Sequence, residues 1–68
     1  MKTKQEILDY LNYRKEFYQK NILRYNEILA YLDIKSNDYI MYSMLRKMDK
    51  QDLDLINEIL DFINGKEA

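Results

Sequence analysis

Leu8, Leu11, Lys15, Tyr18, Ile22, Tyr25, Leu29 and Leu32 follow one another at alternating spacings of three and four, and only Lys15 interrupts the apolar series. Such spacing keeps one seam of a helix turned toward a partner over about four heptads. With Leu8 as heptad position a, Ile7, Tyr10, Phe17, Ile28 and Tyr31 fall at the flanking positions c and g. They widen the apolar arc to about 160°. Asp9, Asn12, Glu16, Gln19, Lys20, Asn26, Glu27 and Asp33 occupy the opposite face. An arc this wide exceeds the seam of a two-stranded coiled coil and predicts contact with more than one neighbouring helix.

Thr3 is placed to cap this first helix, with Glu6 completing a capping box. The pattern predicts helix over about residues 4–33, a turn at about 34–37 and a second helix at about 38–64. Ser36 or Asn37 can cap the second helix, and Asn64-Gly65 is a natural stop. Met41, Leu45, Met48, Leu55, Ile59 and Phe62 make its predicted seam, widened by Tyr39, Tyr42, Leu53, Ile56, Leu60 and Ile63. One point is ambiguous. Asp49 resembles a fresh N-cap, with Asp52 as the acidic third residue and Met48 and Leu53 as a hydrophobic staple. The expected fold is therefore an all-α, antiparallel αα-hairpin forming one domain over residues 1–68, dimerising into a four-helix bundle. The alternative is a three-helix bundle broken near Asp49.

A hairpin turning near residues 34–37 sets Lys15 opposite Asp52 or Asp54, with Arg14 beside them. Lys15 and Asp52 are the polar members of otherwise apolar seams, and a paired polar layer fixes register and orientation. The competing arrangement has both side chains reaching water independently. Residues 1–35 hold seven Lys/Arg and five Asp/Glu, net +2, whereas residues 36–68 hold four and seven, net −3. The two halves are thus mildly complementary.

Composition removes several classes of chemistry. The chain has no Cys and no His, which excludes disulfides, thiolate metal sites and imidazole ligands. It has one Gly and no Pro, so it holds no Gly-rich phosphate loop and no helix breaker in its interior. Nucleophiles and acid–base groups shrink to hydroxyls, lysines and carboxylates. Asp49, Asp52, Asp54, Glu58 and Asp61 lack EF-hand spacing and read as a solvated stripe. A non-enzymatic protein without catalytic residues, metal or cofactor is expected. No apolar run approaches the length of a membrane span and the start carries no signal-peptide pattern, so a cytoplasmic protein is expected.

Two features point toward binding. Seven tyrosines and four methionines in 68 residues are many. Tyr suits half-buried interface positions and Met makes adaptable apolar surface. Tyr10, Tyr31, Tyr39, Tyr42, Met41 and Met44 are the candidate contacts for a protein partner, beside a homodimer. The alternative is a nucleic-acid regulator using Arg14, Lys15, Lys20 and Arg24, which interleave with rings on the first helix. A formal net charge of −1 supplies no dominant basic footprint for it. Ile, Lys, Asn and Tyr together make 29 of 68 residues, and Lys outnumbers Arg eight to three. These residues have A/T-rich codons, which suggests a low-GC bacterium or its phage or mobile element.

Overall fold

A computed structural model describes residues 2–65. Helix α1 runs Lys4–Leu29 and helix α2 runs Asn37–Ile63. The Thr3 hydroxyl accepts from the Glu6 N–H at 3.2 Å and donates to Glu6 Oε1 at 3.2 Å. Thr3 and Glu6 are thus joined as the capping box predicts, but the carboxylate binds the hydroxyl instead of reaching the Thr3 N–H. At the other end of the chain Gly65 takes φ 74°, the left-handed conformation that a side chain disfavours. From there its N–H reaches the Phe62 carbonyl at 3.2 Å and closes α2.

Helix α1 ends four residues earlier than its apolar pattern predicts. Tyr31 and Leu32 donate to carbonyls only three residues back, Ile28 and Leu29, so the last turn tightens out of α geometry. Asp33 then organises the connection. Its Oδ1 accepts from the Lys35 N–H at 3.1 Å, and its carbonyl accepts from both the N–H and the hydroxyl of Ser36. Ser36 in turn caps α2 by accepting from the Tyr39 N–H at 3.1 Å. Leu32 still folds back as a half-buried residue although it lies beyond the helix.

Helix α2 passes through Asp49 without interruption, so the three-helix alternative broken near Asp49 does not form. No Gly or Pro lies between Asn37 and Ile63. Keeping the helix continuous holds Leu53, Ile56 and Leu60 on the face that Tyr39 and Tyr42 begin. That face is the one that packs on α1, and here the seam expected from the sequence is corrected. Tyr39, Tyr42, Arg46, Asp49, Leu53, Ile56, Leu60 and Ile63 are half-buried or buried. They are spaced alternately by three and four, a second heptad row. The predicted seam is the one left outside: Met41, Met48, Leu55, Ile59 and Phe62 are all exposed, and only Leu45 is half-buried. With successive residues about 100° apart around the axis, the two rows point about 100° from each other.

On α1 the predicted seam does face inward, joined by the g positions Arg14, Asn21 and Ile28. The c positions Tyr10, Phe17 and Tyr31 are exposed. The buried core is small: Leu29, Ile56 and Leu60. Tyr25 and Tyr42 pack with ring centroids 6.0 Å apart near the connection. The Arg46 guanidinium donates to Asn26 Oδ1 at 2.7 Å and ties the helices across.

The hairpin is long and thin, 46 × 24 × 17 Å, with a radius of gyration of 15.2 Å. A compact chain of this length has a radius nearer about 11 Å. Its accessible surface is 5731 Å² for 8.4 kDa. A compact monomer of that mass exposes about 4600 Å², so the excess is about 1100 Å².

Candidate interaction surface

The surface follows from the two helical wheels. Viewed with the inner faces together, the c positions of α1 and the outer heptad row of α2 turn toward the same side of the antiparallel pair. That side presents Tyr10 and Phe17 from α1 and Met41, Met48, Leu55, Ile59 and Phe62 from α2, all exposed. The other side is mixed, with Leu23 exposed among polar residues. It carries the Arg46–Asn26 bond and an open hollow of about 380 Å³ lined by Gln19, Ile22, Leu23 and Leu53. A second hollow on that side is lined by Ser43, Met44, Arg46, Lys47, Lys50, Gln51 and Asp54.

The six residues expected to meet a partner are divided among three places. Tyr39 and Tyr42 are half-buried on the face toward α1, where the Tyr42 ring packs on Tyr25. Tyr10 and Met41 belong to the apolar side, at opposite ends of the rod. Tyr31, 92% exposed, and Met44 lie near the connection. Ile34 and Ile40, also exposed, join that end of the molecule. The heptad pattern does not mark these two, because one falls in the turn and the other lies off either seam. Their signal is only that an apolar residue stands where water is expected.

The basic positions are likewise separated. Arg14 is half-buried, and its guanidinium lies 5.0 Å from the ring centroids of both Phe17 and Tyr18. It also donates to the Tyr18 hydroxyl at 2.8 Å. That hydrogen bond raises its pKa further above the ordinary guanidinium value, so the charge is permanent. Cation–π contact and a hydroxyl partner hold the group against its own helix. Lys20 and Arg24, one turn apart, are exposed. Lys15 is half-buried and Asp52 exposed, so the two lie at different depths from solvent. The acidic residue on the inner face is Asp49, whose Oδ2 is shielded from solvent and takes no hydrogen bond among the described residues.

Among the described residues, no group of three His, Cys, Asp or Glu side chains is close enough to hold a metal ion. No helix among them is long and apolar enough to cross a membrane. None of the family models, curated proteins or solved structures compared with this chain matches it.

Proposed function

We propose that this chain is a small, non-enzymatic interaction module that regulates a protein partner by occupying an apolar groove on it. The contact is made through a Tyr/Met-rich surface at the connection end, where Tyr31 and Ile34 of the connection and Ile40 and Met44 of α2 are exposed. What carries the reading is the 92% exposure of Tyr31 beside these apolar neighbours. Tyr and other large apolar side chains left in water are the groups that gain most from a partner's groove. The excess of Ile, Lys, Asn and Tyr, residues with A/T-rich codons, supports a phage or other mobile element of a low-GC bacterium as the source. A cytoplasmic target is compatible with the described helices, none of which is long and apolar enough to cross a membrane.

The test is affinity capture with the wild type and with a Tyr31→Ser/Met44→Ser double variant whose helical content is unchanged. A protein retained by the wild type through a rise in salt, and lost by the variant, supports the reading. Retention unaffected by the double substitution overturns it. Capture of nucleic acid instead, released steeply between about 50 and 200 mM salt and abolished by Lys20→Ala/Arg24→Ala, overturns it in favour of a nucleic-acid regulator.

A further inference from the structure

The apolar side of the hairpin has its own occupant, distinct from any target at the connection end. We infer that it is covered by a second copy of this chain, with a two-fold axis along the rod. Each α1 then lies on the partner's α2 and both connections sit at the same end of a four-helix bundle.

Area argues for a partner of this size. The excess surface of about 1100 Å² matches what one side of a stable interface buries, about 800 Å². Spacing argues for a helical one. The outer row of α2 keeps alternating steps of three and four from Met41 to Phe62, which is the requirement of a helix–helix seam and not of an irregular groove.

Orientation follows from register and charge. Asn26 bonds Arg46, and Ile22 and Leu23 share a hollow with Leu53, so the levels of α1 and α2 along the rod are known. At those levels Phe17 matches Leu55 and Tyr10 matches Phe62. Stacking α1 on the partner's α2 with the connections together brings the exposed Tyr10 and Phe17 rings of one copy onto an aromatic and an aliphatic side chain of the other. The one acidic break in the outer row is Asp52, and the one basic break in the c row of α1 is Arg24. On the register of the Asn26–Arg46 bond Arg24 is level with Met48, about one helical turn from Asp52, within reach of a long guanidinium side chain for two symmetric ion pairs across the interface. A two-fold axis across the rod does the opposite. Met41 then pairs with Phe62 and Met48 with Leu55, and Asp52 falls against its own copy at the centre. Like charges opposed in this way are disfavoured. The net +2 of residues 1–35 and net −3 of residues 36–68 act in the same direction, setting basic halves on acidic ones.

The chain has no cysteine, so Lys35→Cys in the exposed connection gives one attachment point per copy. Molar mass by light scattering and the distance between spin labels at this position test the inference together. A mass near twice 8.4 kDa is expected. With interaxial spacings of about 10 Å, label separations of roughly 15–30 Å are expected. A dimer whose labels lie near the 46 Å length of the rod overturns the arrangement. A mass of 8.4 kDa at every concentration overturns the second copy altogether, and leaves the target-binding reading to its own capture test. A charge exchange gives a second readout. Asp52→Arg weakens dimerisation about tenfold across two symmetric pairs, and adding Arg24→Asp restores it. No rescue by the double exchange also overturns the pairing.

Discussion

Helix α2 carries two rows of side chains with the same heptad spacing and different fates. The inner row, from Tyr39 to Ile63, contains the two buried residues of the helix, Ile56 and Leu60, yet it also contains Arg46 and Asp49. The outer row is more uniformly apolar, interrupted only by Asp52, yet Phe62 within it is 73% exposed. Hydrophobicity alone therefore did not choose which row closes the hairpin. The connection did. Asp33 and Ser36 fix the direction in which the chain enters α2, and Tyr39 and Tyr42 arrive facing Tyr25. Every later residue of a continuous helix inherits that orientation. The more apolar row is left for contacts outside the hairpin, which is how one short helix can serve an internal and an external partner.

The sharpest way to break this contrast is to compare adjacent residues. Leu60→Ala empties a buried inner-row position and costs about 2–5 kcal/mol. For a chain of this size that lowers Tm by roughly 10–30 °C, at any protein concentration. Ile59→Ala, next in sequence but on the outer row, acts through association, so its effect on Tm shrinks as the protein is diluted. Thermal melts of both variants across a concentration series check this. Equal, concentration-independent losses in the two variants mean that the rows do not differ as described.

Much of this architecture is legible in the amino-acid sequence. Helicity, the hairpin, the inward seam of α1, the Thr3 and Ser36 caps and the Gly65 stop all follow from local rules of spacing and capping. The choice of row on α2 does not. Both rows satisfy the same periodicity, and the deciding angle is set by hydrogen bonds in a seven-residue connection, where Asp33 accepts from Lys35 and Ser36. Asp49 misleads for a related reason. Its sequence context is that of an N-cap, but mid-helix its Oδ2 is shielded and unbonded among the described residues. The candidate surface is legible only in part. Residue type and helical spacing single out Tyr31 and Met44, which are exposed, whereas the turning inward of Tyr39 and Tyr42 again depends on the connection.

Asp49 gives the next test, because it is the inner row's weakest member. Asp49→Leu removes a shielded oxygen without a partner and continues the row with an apolar side chain. It is expected to raise stability by about 1–3 kcal/mol, seen as a higher denaturant midpoint with an unchanged slope. A loss of stability instead means that the carboxylate serves the fold or a partner in some way that packing does not reveal.

The smallest expected effect probes the connection itself. Ser36→Ala deletes the hydroxyl that accepts from the Tyr39 N–H and donates to the Asp33 carbonyl. Loss of a cap costs about 1 kcal/mol. In a chain this short that is a fall in Tm of about 4–8 °C. The more informative readout is near-ultraviolet circular dichroism, because the Tyr25–Tyr42 pair reports whether α2 still presents its inner row. Ser36→Thr keeps the hydroxyl and serves as the control. A tyrosine signal retained in Ser36→Ala at a temperature where the variant is folded means that the rest of the turn, chiefly Asp33, is sufficient to orient α2. A signal lost in Ser36→Ala and kept in Ser36→Thr means that one hydroxyl, placed before the first turn, decides which of two equivalent rows becomes the core.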